Sequence, residues 1–225
     1  MITTRAELAS YLDQTNLVLG ASRHELDAFL HEAVDHGFFA VCVLPNMTPL
    51  ARRITAGTPV RVAAVVSFPL GGDTLMVKQA EARMLLDLGA DEIDVVVDVA
   101  QARMGRYDAV AEEVAAVRSI LGTGQVLKAI IEVPLLTEGQ TVGAALAAER
   151  GGAHIVKTST GFKGLKLRST SDQDVRLLRR TLRPETGIKA AGGIRTTAEA
   201  LAMIEAGATR IGTSSGVAIL AGLQE

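Results

Sequence analysis

Two lysines and an aspartate, each carried on an apolar stretch of chain, are the residues that could do chemistry together: Lys157, Lys189 and Asp94. Lys157 follows Ile155 and Val156, which favour a pleated, half-buried backbone, and precedes Thr158-Ser159-Thr160-Gly161, a run of turn-forming residues with small hydroxyls. It therefore stands where a strand ends. Burial there disfavours the ammonium and favours the neutral amine, the form that attacks a carbonyl to make a Schiff base. An isolated lysine can equally lay its stem along the surface and keep its charge in water, so the reading rests on its company. Lys189 is delivered in the same way, by Gly187-Ile188 into Ala190-Ala191-Gly192-Gly193. A second ammonium nearby would raise the neutral fraction of the first. Asp94 lies in Asp91-Glu92-Ile93-Asp94-Val95-Val96-Val97-Asp98, where alternation puts it on one face with Val96 and puts Ile93 and Val95 on the other. With little other charge on the strands, the three suggest one shared site.

Such a site needs a frame that brings distant strands together, and the chain alternates strand with helix throughout. A short helix over Glu7 to Tyr11 leads into a first strand at Leu12-Asp13-Gln14-Thr15-Asn16. Ser22 and Glu25 form a capping box that starts a helix with Leu26, Phe29, Leu30 and Val34 at helical spacing, and Gly37 stops it. A strand from Phe38 to Leu44 closes at Pro45, a short helix follows near Pro49 to Thr55, and a third strand covers Arg61 to Val66. The helix from Thr74 to Leu88 places Val77, Ala80, Met84 and Leu88 on one stripe, expected to face the core, and ends at Gly89 before the Asp94 strand. Helices over Tyr107 to Leu121, Glu138 to Arg150, Ser171 to Leu182, Thr196 to Ala206 and Ser214 to Leu223 then alternate with strands at Val126 to Ile131, Lys157, Lys189 and Thr209 to Gly212. Eight strands, each followed by a helix, predict an α/β fold of the closed (β/α)8 TIM-barrel type: one domain over 1–225 with a short helix ahead of the first strand. An open doubly wound sheet is the competitor, but the first strand lacks its glycine fingerprint. In a barrel the carboxyl ends of strands four, six and seven lie close enough for Asp94, Lys157 and Lys189 to converge.

Composition narrows the partners. A net charge of -2 provides no basic field for nucleic acid or a membrane surface, and no apolar run approaches the roughly 20 residues of a spanning helix. The amino terminus lacks the pattern of a signal peptide. A single cysteine, Cys42, excludes an internal disulfide and a thiolate zinc cluster and fits a reducing cytoplasm. The apolar content, 48%, leaves room for a homodimer interface. Ala191-Gly192-Gly193 and Gly212-Thr213-Ser214-Ser215-Gly216 stand just before helix starts, where backbone amides and the helix dipole attract an anion; barrels commonly bind phosphate there. These can also be ordinary turns, with Ser214 as a cap. Lys163 and Arg195 could add charge or be solvated surface residues.

Ile155-Val156-Lys157-Thr158-Ser159-Thr160-Gly161-Phe162, together with Glu92-Ile93-Asp94-Val95-Val96 and Ile188-Lys189-Ala190-Ala191-Gly192-Gly193-Ile194-Arg195, resembles the 2-deoxyribose-5-phosphate aldolases, a family of class I aldolases. The likeness extends to Leu12-Asp13-Gln14-Thr15, Val41-Cys42-Val43-Leu44-Pro45, Phe68-Pro69-Leu70-Gly71 and Gly212-Thr213-Ser214-Ser215. The resemblance implies a Schiff base on Lys157, a proton relay of Asp94 and Lys189, and substrate contacts from Asp13, Thr15, Cys42 and Thr158. It also implies a phosphate held by Gly161, Gly192, Gly193, Ser214 and Ser215, with no metal and no cofactor. The substrates would be a small phosphosugar and aldehydes. Gln14 stands where many members have histidine, Leu44 where many have asparagine and Ser67 where many have glycine; the chain ends at Glu225 without the tyrosine-bearing tail of some members.

Three other functions fit the same residues. Another Schiff-base barrel would differ only in its phosphosugar. An isomerase would use Asp94 as a base without covalent chemistry, and a non-catalytic phosphosugar-binding protein would bind without turnover.

Overall fold

Short strands rich in β-branched residues, each separated from the next by a helix, must run in the same direction and pair side by side. The computed structural model describes residues 2–162, 164 and 166–224. In it β1 (Leu12–Asn16), β2 (Ala40–Val43), β3 (Arg61–Val66), β4 (Glu92–Val96), β5 (Val126–Ile130), β6 (Ile155–Lys157), β7 (Gly187–Ala191) and β8 (Arg210–Thr213) are parallel and pair in chain order. β8 returns to β1 through Leu12↔Ile211 and Asp13↔Gly212, so the sheet is a closed eight-stranded barrel, as the strand–helix rhythm predicts.

Helices α1 (Arg5–Ala9), α2 (Arg23–Asp35), α3 (Thr48–Thr55), α4 (Leu75–Asp87), α5 (Val99–Arg103), α6 (Tyr107–Arg118), α7 (Glu138–Arg150), α8 (Asp172–Thr181), α9 (Thr197–Glu205) and α10 (Gly216–Ala221) complete the chain. Their starts are written in the sequence. Ser22 with Glu25, Thr137 with Gln140, Ser171 with Asp174 and Thr196 with Glu199 each form a reciprocal capping box. The same device at Thr4 and Glu7 starts α1 at Arg5, two residues earlier than the expected Glu7. Helix α5 lies outside the expected elements; Asp98 caps it by accepting from the amides of Ala100 and Gln101.

Helix α4 departs from its expected orientation. Val77, Met84 and Leu88 are 48%, 45% and 37% exposed and Ala80 is exposed as well, while Lys78, Ala82 and Leu85 face inward. The Lys78 ammonium, fully buried, donates to the carbonyls of Gly71 at 2.7 Å and Val96 at 2.9 Å and pairs with Glu113. A lysine with three partners thus holds the loops after β3 and β4 together. Hydrophobic periodicity could not assign a charged residue to the inner face.

Two apolar regions result. The larger lies between barrel and helices, where Val41, Val62, Ile93, Leu127, Val156 and Ile188 meet side chains such as Leu30, Leu85, Val114 and Leu178. Burial of each larger side chain contributes about 1.5–3 kcal/mol. The smaller, Cys42, Ala63 and Val65, lies inside the barrel. Elsewhere the interior carries charge: Asp13, Glu92, Asp94, Lys128, Lys157, Lys189 and Arg210 are all buried. The expectation of little charge on the strands beyond three residues is therefore corrected. Near-continuous apolar strands describe the outward-facing positions, because alternation sends every second residue into the lumen.

Gly212 on β8 makes space for one of these side chains. A β-carbon there would stand 2.9 Å from Cε of Lys189 and 3.1 Å from Cβ of Ala191. Gly212→Ala is expected to destabilise the fold by about 1–3 kcal/mol through overpacking. Denaturant unfolding measures this, and an unchanged or raised midpoint would mean that the lysine stem has room to move aside.

Candidate active site

Inward positions of neighbouring strands supply the site. Register pairs Lys157 with Lys189 across β6 and β7, and Asp94 with Lys128 across β4 and β5. Asp94 is the meeting point. Its Oδ2 accepts from Lys157 Nζ at 2.9 Å and from Lys189 Nζ at 2.9 Å, and its Oδ1 accepts from Lys128 Nζ at 2.6 Å. Burial alone would push its carboxyl up, but Lys128, Lys157 and Lys189 together hold it well below the ordinary value of 3.8.

The charges continue inward. Lys189 reaches Asp13 Oδ2 at 2.5 Å, and Arg210 bonds Asp13 Oδ1 at 2.7 Å while lying 3.4 Å from Glu92. Glu92 in turn pairs with Lys128 at 2.5 Å. Burial opposes the ammonium of Lys189, yet Asp13 and Asp94 outweigh it and raise its proton affinity. Lys128 is shifted the same way: burial opposes its charge, and Asp94 and Glu92 prevail. Burial would raise the Asp13 carboxyl, but Lys189, Arg210 and Lys128 lower it. Each of Lys128, Lys189 and Arg210 thus faces two or more carboxylates, whereas Lys157 has Asp94 as its carboxylate partner. Inside the barrel the side chains of Lys128, Lys157, Lys189 and Arg210 meet the carboxylates of Asp13, Glu92 and Asp94.

Lys157 is also where this network opens outward. It forms the floor of a cavity of about 440 Å³ whose lining includes Thr15, Phe68, Gly161, Gly192, Gly193 and Ser214. Phe68 and Phe162 meet edge to face at 6.2 Å in the wall. Asp94 and Lys189 lie beneath this floor, fully buried.

The remaining residues singled out in the sequence fall into two groups. Thr15, Gly161, Gly192, Gly193 and Ser214 line the cavity, as does Arg195. Asp13 lies deeper, paired with Lys189 and Arg210. Cys42 is buried with its Sγ 3.9 Å from Asp94 Oδ2, and burial pushes its thiol up. Thr158 is buried; its hydroxyl bridges β6 to β7, donating to the Ala191 carbonyl at 3.1 Å and accepting from the Ala191 amide at 3.0 Å. The Ser215 amide donates to the Thr213 hydroxyl at 2.9 Å. Lys163 lies outside the described residues.

The helix starts differ from the expected picture. Gly192 and Gly193 do not open a helix directly, since α9 begins at Thr197 with its own capping box. Gln14 accepts from the Gly216 amide at 3.0 Å at the start of α10. Ser67, standing in place of glycine, has φ 54; its hydroxyl bonds Asp73 at 2.8 Å and its amide donates to Glu81 at 2.8 Å, which stabilises this left-handed backbone.

Sequence reading missed Lys128, Glu92 and Arg210 as site residues. A signal existed: Glu92, Asp94 and Lys128 sit at alternate inward positions of β4 and β5, and Arg210 opens β8.

The description "DeoC/LacD family aldolase" matches residues 8–222. The chain belongs to this family. It is 44% identical over 219 residues to the deoxyribose-phosphate aldolase of Thermococcus gammatolerans, covering 96% of each chain. It is 46% identical over 215 residues to that of Deinococcus radiodurans, again covering 96% of each. Among solved structures, the deoxyribose phosphate aldolase of Aeropyrum pernix, described as a unique tetramer, superposes with a TM-score of 0.83 at 34% identity, over 97% of this chain and 91% of that one. As a family member the chain is an aldolase, and its lysine-lined barrel suits that chemistry.

The buried charges also predict a pH response. The Asp94 carboxyl is held below 3.8, so its stabilising contribution is present above that value and is lost as pH falls. The Lys128 and Lys189 ammoniums are raised above 10.5, so theirs is present below that value and is lost as pH climbs through their folded-state values. Lys128→Met leaves Asp94 and Glu92 each one cation short. It is expected to cost about 3–5 kcal/mol in denaturant unfolding at neutral pH. The deficit should narrow below pH 3.8, as Asp94 takes up a proton. A deficit that is the same in acid and at neutrality would contradict this charge assignment.

Proposed function

We propose that the chain is a class I aldolase that reversibly cleaves 2-deoxy-D-ribose 5-phosphate to D-glyceraldehyde 3-phosphate and acetaldehyde, through a Schiff base on Lys157. The observation that carries this reading is the placement of Lys157. Its nitrogen lies at the floor of the cavity, and its carboxylate partner, Asp94, is held by Lys189 and Lys128 as well.

Lys157 attacks the aldehyde carbon of the open-chain sugar, and loss of water gives an iminium. Removal of the proton from the C3 hydroxyl breaks the C2–C3 bond, releases glyceraldehyde 3-phosphate and sends the electron pair into the iminium, leaving an enamine on Lys157. Protonation at C2 and hydrolysis then release acetaldehyde and restore the amine. The iminium is the electron sink, so the scheme needs no metal or cofactor. Asp94 and Lys189 are assigned to the proton relay, supported by the shared carboxylate oxygen 2.9 Å from each amine. Thr15 would meet the sugar, with Asp13, Cys42 and Thr158 shaping the floor from behind. Gly161, Gly192, Gly193 and Ser214, with Ser215 behind them, would take the phosphate.

The net charge of -2 and the single cysteine, which is buried, support a cytoplasmic enzyme without nucleic-acid or membrane partners. A homodimer is supported by the outward apolar face of α4 at Met76, Val77 and Met84, and by the tetrameric relative. Light scattering of the purified chain reads this directly, and a monomer at micromolar concentration removes the assignment.

Borohydride added with acetaldehyde should attach mass to Lys157 and to no other lysine. Lys157→Ala should abolish both trapping and cleavage of deoxyribose 5-phosphate, with or without chelator. Asp94→Asn should lower kcat by about 10²–10⁴-fold. Cleavage that persists without an adduct would favour the isomerase-like, non-covalent use of Asp94.

A further inference from the structure

Glu132 is a buried carboxylate, 1% exposed, that the mechanism above does not use. It stands two residues past β5 in a left-handed conformation, φ 53 and ψ 57, which is uncommon for a residue with a side chain. Its carboxylate partners are the hydroxyl and amide groups of the next loop. The Ser159 hydroxyl donates to Oε1 at 2.5 Å, and the Thr160 amide donates to both oxygens at 3.2 Å. The backbones of the two loops are stitched as well: Ile131 N donates to the Lys157 carbonyl at 3.1 Å and Val133 N to the Thr158 carbonyl at 2.7 Å.

The contact passes on to the cavity wall. The Ser159 oxygen, fixed by Glu132, accepts from the Gly161 amide at 3.0 Å. Gly161 in turn lies against Gly192: a β-carbon on Gly161 would stand 3.1 Å from Gly192 Cα, and one on Gly192 would stand 3.3 Å from the Ser159 oxygen. Both glycines have positive φ, at 65° and 102°. Glu132, Ser159, Gly161 and Gly192 therefore form a packed line from the β5 loop to the part of the cavity assigned to phosphate. The carboxylate takes the Thr160 amide and Ser159 takes the Gly161 amide, so these bonds shape the loop.

We propose that Glu132 is a positioning residue for the phosphate end of the substrate: it fixes the Ser159–Gly161 turn against Gly192 without touching the substrate itself. The proposal rests on the assignment of phosphate to that end of the cavity. A residue with this role governs recognition of the phosphate and leaves Lys157 chemistry intact, so it separates phosphorylated from unphosphorylated sugar.

The test compares kcat and KM for 2-deoxyribose 5-phosphate and for 2-deoxyribose in the wild type and in Glu132→Ala, Glu132→Gln and Ser159→Ala. Glu132→Ala is expected to raise KM for the phosphorylated sugar about tenfold, the scale of losing hydrogen bonds to a charged group. KM for the unphosphorylated sugar, and acetaldehyde trapping on Lys157 by borohydride, should stay within about twofold. Glu132→Gln keeps an acceptor for Ser159 and should recover most of the loss. Equal effects on both sugars, or no effect on the phosphorylated one, would overturn the proposal. If Glu132→Ala does not fold, Ser159→Ala decides: the same selective rise in KM supports the role, and its absence removes it. A wild type that does not distinguish the two sugars would show instead that the phosphate assignment itself is wrong.

Discussion

A single carboxylate cannot remain ionised in the interior of a barrel unless cations surround it, and the inner structure of this protein follows from how Asp94 is satisfied. Three lysine nitrogens from β5, β6 and β7 converge on its two oxygens. A buried carboxylate left unpaired would cost several kcal/mol, so the strands that carry its partners are constrained in register as well as in sequence. Asp13, Glu92 and Arg210 extend the set below, and every member other than Lys157 is held by at least two opposite charges. Lys157 differs from its neighbours through its surroundings and not through its residue type: among the described residues it has one carboxylate partner, Asp94, and it lines a cavity.

The division of labour between the two sides of the sheet follows from alternation. Outward residues of each strand pack with the helices and supply the apolar burial that holds the fold, while inward residues are free to carry charge. Stability and chemistry are thus assigned to opposite faces of the same strands. The loops above are shaped by buried polar groups: Lys78 ties the β3 and β4 loops, Glu132 ties the β5 and β6 loops, and the Thr158 hydroxyl ties β6 to β7. These side chains connect neighbouring loops over a longer reach than, and in addition to, the backbone hydrogen bonds between them.

Much of the fold is local in origin and so is legible in the chain. Capping boxes at Ser22, Thr137, Ser171 and Thr196 fix helix starts because side chain and backbone within four residues satisfy one another. Helix α4 shows where this fails: its inner face is organised by the charged Lys78, whose three partners come from Gly71, Val96 and Glu113, so apolar spacing pointed the helix the wrong way round. Asp94, Lys157 and Lys189 were readable because each interrupts an apolar strand. Lys128 interrupts β5 in the same way, but carries no neighbouring motif of turn residues to single it out, and Arg210 stands at the start of β8, where a charged residue is unremarkable.

By itself the sequence determined the order of strands and helices, the closed barrel that eight such units imply, and the residue types able to form and use an iminium, because these depend on neighbours along the chain. Only the tertiary structure decided which charges meet, how many carboxylates each buried amine faces among the described residues, and that Glu132 meets the hydroxyl of Ser159 and the amide of Thr160. Those outcomes depend on register between strands as many as 197 residues apart, as between Asp13 and Arg210, and electrostatic energy inside a barrel is set by distance in space, about which spacing in sequence says little.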